Sequence, residues 1–270
     1  MATPLGETAH GGEAAALPGR LLQLQELTLH LVARELTSRQ RGSLLGWLWS
    51  LAPPLLQLLL VHFLFTRVVP LGVENYALFL LTGILAWSGF SRGLAAATDS
   101  LEANRNLVLR PGFPTALLPL VAVLVALVDQ CLALPILLGA VAATSGLGPP
   151  VALLPALLAI QLALTTGLAW CLAPLQVFLR DTRHLVGISL SLGFWITPIF
   201  YAPRRLPDAL GFLHDANPMA QLIAAQRAIL LHGTLPETAP LAVVAGLSLV
   251  VLVAGFAVFH ATRHALAERV

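Results

Sequence analysis

The residues that stand out chemically are ionisable side chains inside long apolar stretches. Asp129 lies in the stretch of residues 115–143, and His62 lies in the stretch of residues 46–66. A charge in the middle of a bilayer costs about 2.5–3.5 kcal/mol on insertion scales, so such a side chain should face protein or water. Asp129 therefore lines a channel, contacts a neighbouring helix, or stays protonated in a structural hydrogen bond. For His62, a packed neutral ring is the alternative to a functional role.

The sequence shows no catalytic constellation. It contains neither HExxH nor GxSxG, and no serine–histidine–acid set can be argued for. All fifteen basic residues are arginine, and a P-loop needs a lysine on the β- and γ-phosphates. If ATP drives this protein, the ATPase must be another chain. Cys131 and Cys171 lie in apolar runs without a CxxC motif, so no metal site or disulfide is expected.

The composition is that of a multi-pass membrane protein. Hydrophobic residues make up 57% of the 270 residues and charged residues only 10%, whereas soluble domains carry about 25% charged residues. An apolar stretch of about 20 residues can cross the bilayer as a helix. We predict an all-α membrane protein with six spans, at residues 46–66, 76–98, 115–143, 150–178, 185–201 and 241–260.

The arginines fix the predicted orientation, because cytoplasmic flanks retain positive charge. Placing both termini inside puts eleven arginines on the cytoplasmic side. The remaining four, Arg67, Arg204, Arg205 and Arg227, then lie outside. Arg92, near the inner end of the second span, is expected to extend to the interface.

Four of the segments outside the spans carry predictions of their own. Residues 1–19 are expected to form a flexible cytoplasmic tail, and residues 20–41 an amphipathic helix at the interface. Residues 99–111 predict a short cytoplasmic helix with Ser100 as its N-cap. Residues 203–233 predict two short helices that dip into the membrane from outside.

Short motifs follow one another between residues 34 and 227. In chain order they are Arg34, Glu35, Arg39 and Gln40; Leu45, Gly46 and Trp49; Phe79, Gly83 and Trp87; Ser100, Leu101 and Asn104; Phe113, Pro114 and Pro119; Arg180 and Asp181; Thr197, Pro198, Ile199 and Tyr201; and Asn217 and Pro218. In this order they resemble the membrane subunit of type-2 ATP-binding-cassette exporters. Within that class, the chain looks most like the permeases that export O-antigen, capsule or teichoic-acid polysaccharides.

The resemblance implies a homodimeric channel in a bacterial cytoplasmic membrane. Two ATPase subunits would bind ATP and magnesium, and the cargo would be a lipid-linked polysaccharide or glycolipid. The interface helix and residues 99–111 would dock on the ATPase, through Arg34, Arg39, Arg41, Glu102, Arg105 and Arg110; a merely solvated face is the alternative. Residues 203–233 would form an outer gate.

A carbohydrate path favours aromatic side chains, because sugars present apolar C–H faces to rings. The candidates are Trp87, Phe90, Phe194, Trp195 and Tyr201, and the alternative for each is packing or contact with lipid. Arg180 and Asp181 form an inner-loop pair, either a hinge or ATPase contact or an orienting arginine beside an incidental acid.

Three other functions stay open from the sequence. The first is an exporter of the same class that carries a drug or a lipid. The second is a proton-coupled secondary transporter that uses Asp129. The third is a membrane scaffold that transports nothing.

Overall fold

The structure, a computed structural model, describes residues 11–40, 48–64, 75–201 and 215–269. Within these ranges it contains α-helices and one short 3-10 turn, Pro149–Leu153, and no strand. The helices are α1 (Gly11–Gln40), α2 (Leu48–Phe63), α3 (Tyr76–Ala103), α4 (Arg105–Val108), α5 (Leu117–Thr144), α6 (Leu154–Phe178), α7 (Thr182–Ile196), α8 (Pro218–Leu231) and α9 (Thr238–Arg269). The predicted all-helical class is confirmed.

Four helical segments in the described chain are long and apolar enough to cross a membrane. They are Tyr76–Ala103, Leu117–Thr144, Pro149–Phe178 and Thr238–Arg263, close to four of the predicted spans. The helices at the other two, α2 and α7, have 16 and 15 residues. At ~1.5 Å per residue they are shorter than the ~30 Å hydrocarbon core. The count of six spans therefore stays a prediction.

Helix α3 is the centre of the bundle. It packs against α2, α5, α6, α7 and α8, and 83% of its apolar window is buried. The corresponding window of α9 is only 17% buried, and this helix packs mainly on α6. A Cβ added at Gly255 of α9 would meet the backbone carbonyl of Gly167 on α6. Glycine at this crossing therefore lets the two helices approach closely.

Helix α7 leaves one apolar face open. Its buried residues are Thr182, Val186 and Phe194. Leu185, Ile188, Leu192 and Trp195 are each 57–63% exposed. In a membrane protein such a face contacts lipid or another protein chain.

The structure changes the boundaries of both segments that were predicted to be cytoplasmic. Helix α1 begins at Gly11, so residues 11–19 are helical and do not form the expected tail. Helix α3 continues to Ala103, and Ser100 lies inside it with its hydroxyl donating to the Ala97 carbonyl at 2.7 Å. Ser100 is therefore not an N-cap, because the break before α4 falls at Asn104.

The outer segment is described only in part. Residues 202–214, with the first of the two predicted short helices, lie outside the described residues. The second is present as α8, capped by Asn217, whose side-chain oxygen accepts from the backbone N–H groups of Met219 and Ala220. The re-entrant pair as a whole stays a prediction.

The glycine contact between α6 and α9 can be tested by substitution. Gly255→Leu should force the two helices apart, since overpacking a tight contact typically costs about 1–3 kcal/mol. The expected result is a lower unfolding midpoint of the purified protein in detergent. Gly246→Leu is the matched control, because a Cβ at Gly246 of the same helix meets nothing within 4 Å. Equal midpoints for the two variants would contradict the packing assigned to Gly255.

Candidate functional site

One end of the bundle is predicted to face outward and is called the outer end here; the guanidinium of Arg227 is buried there among backbone carbonyls. Arg227 lies on α8 and is 5% exposed. Its Nη1 donates to the Pro198 carbonyl at 2.7 Å, and its Nη2 donates to the Ile199 carbonyl at 2.6 Å. Nε and Nη2 also donate to the Phe79 carbonyl, at 3.3 and 3.0 Å. One side chain thus joins α8, α3 and the segment that follows α7.

The ring of Phe79 and the absence of a side chain at Gly83 complete the surroundings of the Arg227 guanidinium. The guanidinium carbon lies 3.4 Å from the centroid of the Phe79 ring, which gives a cation–π contact on the face of the ring. A Cβ at Gly83 would lie 2.8 Å from Nη2 of Arg227. Helix α3 therefore provides both the ring that the Arg227 guanidinium contacts and, at Gly83, the space that the guanidinium occupies.

The irregular segment of residues 197–201 is held from three sides. Besides the bonds from Arg227, the Tyr76 hydroxyl donates to the Phe200 carbonyl at 2.8 Å. The Asn217 side-chain amide donates to the Thr197 hydroxyl at 2.9 Å. Non-helical backbone at membrane depth is tolerated where protein satisfies its polar groups. We call this arrangement of Tyr76, Phe79, Thr197–Tyr201, Asn217 and Arg227 the outer clamp.

The outer clamp unites motifs that are far apart in the sequence. Phe79, Gly83, Thr197 to Tyr201 and Asn217 all belong to the recognised pattern, and they meet around Arg227. The sequence analysis counted Arg227 as an outer charge. Its hydrogen bonds to three backbone carbonyls were therefore not predicted. One signal was visible: it is the only charged residue between Pro218 and Leu231.

The predicted aromatic path is divided between core and surface. Trp87, Phe90 and Phe194 are only 7–8% exposed and pack in the main core. Phe90 nevertheless borders an apolar groove beside α7. Trp195 is 57% exposed, while Tyr201 is partly exposed and its hydroxyl donates to the Ile196 carbonyl at 2.6 Å.

Aromatic contacts connect Trp195 and Tyr201 to Phe200 of the outer clamp. Phe200 contacts Trp195 and Tyr201 edge-on, with centroids 5.2 and 5.1 Å apart. Trp195 and Tyr201 are thus the two predicted aromatics that keep exposed surface.

Asp129 contacts a helix that the sequence did not indicate. It is 4% exposed, and its Oδ2 lies 3.8 Å from Nη1 of Arg92 on α3. Nε of Arg92 also donates to the Ser88 carbonyl at 3.2 Å. The Arg92 side chain also keeps 32% of its surface exposed, so its extension to the interface stays a prediction. Of the interpretations of Asp129, the contact between helices is the one that the geometry favours.

An amide pair continues this polar layer across to α6. The Gln161 amide donates to Oε1 of Gln130 at 2.9 Å and to the Ala86 carbonyl at 3.2 Å. A Cβ at Gly89 would strike Gln130, so α3, α5 and α6 meet closely here. His62 stacks on Tyr76 with centroids 6.1 Å apart, in agreement with a packed ring.

The inner end carries a basic cavity of about 310 Å³. Its lining residues are Glu102, Arg105, Gln176, Val177, Arg180, Arg183 and Arg269. Buried Gln176 organises the wall, since it accepts from the Arg183 backbone N–H at 2.8 Å and donates to Glu102 at 3.3 Å. Arg180 and Asp181 do not share a site, because Asp181 lines a separate apolar groove.

The two predicted docking segments meet beside this cavity. Arg34 of α1 donates to the Asn104 side chain at 3.4 Å, and Leu31 packs with Val121 and Val125 of α5. Glu102, Arg105 and Arg110 are exposed. Arg41 and the side chain of Arg39 lie outside the described residues.

The outer clamp predicts that Arg227 is needed for stability. Arg227→Gln cannot reach all three carbonyls, and each buried unsatisfied polar group costs about 1–3 kcal/mol. We expect the unfolding midpoint of the detergent-solubilised protein to fall by more than about 5 °C. Arg263→Gln, at an exposed arginine of α9, is the control and should change the midpoint little. Equal midpoints in the two variants would refute the clamp.

Comparison with known proteins assigns the chain to a family. Residues 26–231 match the family described as ABC-2 type transporter. A permease of an O-antigen export system, RfbA of Myxococcus xanthus, is 34% identical over 254 residues, which are 93% of this chain and 97% of that protein. A protein of the same description from Klebsiella pneumoniae is 28% identical over 249 residues, 91% of this chain and 95% of its own. The chain therefore belongs to the ABC-2 type transporter membrane family.

Proposed function

We propose that this chain is the permease subunit of an ATP-driven exporter. Its cargo is a lipid-linked polysaccharide or glycolipid, which crosses the bacterial cytoplasmic membrane through a channel formed by two copies of the chain. The observation that carries this proposal is the similarity to O-antigen export permeases over nearly the whole length of both proteins. The same similarity favours a glycan over a drug as cargo.

Hydrolysis of ATP belongs to a partner in this proposal. The chain has no lysine, and a P-loop requires one. Two ATPase subunits, which bind ATP and magnesium, would dock where α1 meets residues 99–111. The contact of Arg34 with Asn104 and the exposure of Glu102, Arg105 and Arg110 support that face.

The charges support the proposed orientation with both termini in the cytoplasm. Arg227 is buried and does not contribute surface charge, whereas the Arg92 side chain is 32% exposed. The count therefore becomes eleven arginines inside and three outside, from eleven and four. The ratio of inside to outside arginines therefore increases when the structure is taken into account. This is the direction that the positive-inside rule requires.

The exposed face of α7 supports the proposed dimer. Leu185, Ile188 and Leu192 lie on one side of α7 and extend toward Trp195. With 15 residues, α7 is also short for an independent span. A second copy packed on this face would cover it and would place Trp195 and Tyr201 beside the shared path.

A secondary transporter coupled through Asp129 is the weaker alternative. A proton carrier must change its protonation state during each cycle and must reach water. Asp129 is 4% exposed and faces Arg92 at 3.8 Å. The side chain is thus almost closed to water, so the pair suits a fixed contact between helices.

Copurification with the candidate ATPase tests the proposed function. Coexpression should yield a 2:2 complex with vanadate-sensitive ATP hydrolysis. The variant Arg34→Glu/Arg110→Glu should reduce recovery of the ATPase at least tenfold, because charge reversal opposes the docking contact. Arg263→Glu, a single charge reversal at an exposed arginine of α9, is the control and should retain the complex. A folded chain that binds no ATPase would refute the proposal.

A further inference from the structure

Helix α9 continues beyond the part of it that a membrane accounts for. Its 32 residues, at ~1.5 Å each, exceed what a hydrocarbon core of about 30 Å requires. The apolar span ends at Arg263, yet the helix continues to Arg269. Only 17% of the spanning window is buried, whereas Leu266, beyond the span, is 1% exposed. Leu266 is therefore packed more tightly than most of the span that precedes it.

Leu266 belongs to a buried apolar cluster at the inner end of the bundle. Phe259, seven residues earlier and thus on the same face of α9, belongs to this cluster too. The other buried members come from four helices: Leu101 of α3, Val108 of α4, Leu118 of α5 and Ala173 of α6. Leu101 and Val108 are part of residues 99–111. The end of α9 and this segment therefore share one core.

We propose that the inner end of α9 positions residues 99–111, and that Leu266 is the residue through which it does so. Leu266 fills the cluster that holds Val108, so α4 keeps one position relative to the bundle. The positioning itself requires only this cluster. Its use in recruiting an ATPase rests on the proposed function, in which residues 99–111 are part of the docking face.

Helix α4 requires such support because it is too short to be stable alone. It has four residues, Arg105–Val108, and isolated helices shorter than about 12–15 residues are marginal in water. Arg105 and Asn106 are exposed, and Val108 is the one buried residue of α4. Its side chain lies in the same cluster as Leu266. The position of α4 therefore depends on how well that cluster is filled.

Arg269 adds a second contact at the same corner. It lies three residues after Leu266, and its guanidinium carbon is 5.3 Å from the centroid of the Phe178 ring at the end of α6. Arg269 also lines the basic cavity, together with Glu102 and Arg105. A cation in the last turn is favourable because the C-terminal end of the helix dipole is negative. The end of α9 thus contacts α6 and borders residues 99–111 across the cavity.

The simpler alternative is that Leu266 stabilises only the contact between α9 and α6. Its loss would then loosen the end of α9 and leave α4 unchanged. The two accounts differ at three backbone N–H groups of the short helix. Those of Leu107 and Val108 donate to the Asn104 carbonyl at 2.8 and 3.1 Å, and that of Leu109 donates to the Arg105 carbonyl at 3.0 Å. Hydrogen exchange at these amides reports the opening of α4.

Hydrogen exchange of the purified full-length chain in detergent tests the proposal. In Leu266→Ala, the amides of residues 107–109 should exchange at least about tenfold faster, because the truncation leaves a cavity in the cluster that holds Val108. The amides of α8, at the other end of the bundle, should exchange as before. Leu249→Ala, the same truncation at a 60% exposed position of α9, is the matched control and should leave residues 107–109 unchanged.

Two further variants separate volume from folding. Leu266→Met nearly conserves the side-chain volume and should restore slow exchange at residues 107–109. Leu266→Val removes less volume than the alanine variant, so it should act in the same direction to a smaller extent. It keeps the test decisive if the alanine variant does not fold.

The complex with the ATPase tests the role in docking. Leu266→Ala should raise the ATPase concentration needed for half-maximal hydrolysis at least about fivefold and leave the maximal rate unchanged, because it disturbs the position of the docking face alone. Unchanged exchange at residues 107–109, or equally fast exchange in Leu249→Ala, would overturn the positioning. Faster exchange with an unchanged half-maximal concentration would overturn its role in docking. Faster exchange in a chain that recruits no ATPase would support the positioning and refute the exporter.

Discussion

The guanidinium of Arg227 donates hydrogen bonds to three backbone carbonyls at the outer end of the bundle, those of Phe79, Pro198 and Ile199. Within a membrane no water is at hand to replace such bonds, so irregular backbone must be satisfied by protein. A buried arginine suits this role because it carries five donors and no acceptor. This one side chain links helix α8 to the residues that follow α7. It also occupies the space that a side chain at Gly83 would fill.

The two ends of the bundle are built differently. At the outer end the polar groups of the clamp bond one another, and the surface left open is aromatic, through Trp195 and Tyr201. At the inner end four arginines surround an open cavity, and the α1 helix meets residues 99–111 through Arg34. Among the described residues, the open surface is therefore aromatic at one end of the bundle and basic at the other.

Much of the fold followed from the sequence because long apolar runs have few structural options. The spans at α3, α5, α6 and α9 were predicted close to their observed bounds, because length and hydropathy together identify a helix that can cross a membrane. The polar residues 99–103 were predicted outside the second span, yet α3 continues through them to Ala103. Leu101 is fully buried in a core cluster there, and this long-range packing is not visible in the local sequence.

The site was harder to predict because its contacts join distant residues. Asp129 was recognised as unusual, but its partner Arg92 lies on another helix and was assigned to the interface. Arg227 bonds a carbonyl 148 residues away, and no periodicity encodes such a contact. The order of the motifs nevertheless led to the family, and three of the motif residues, Gly83, Thr197 and Asn217, lie in or against the clamp.

The most direct measurement is transport by the reconstituted complex. Inverted vesicles that contain the chain and its ATPase would receive a labelled lipid-linked glycan on the outside, and glycan protected in the lumen would be counted. The account predicts accumulation that requires ATP and both proteins and that persists when the proton gradient is collapsed. Accumulation driven by a proton gradient without ATP, or ATP hydrolysis without any accumulation, would contradict it.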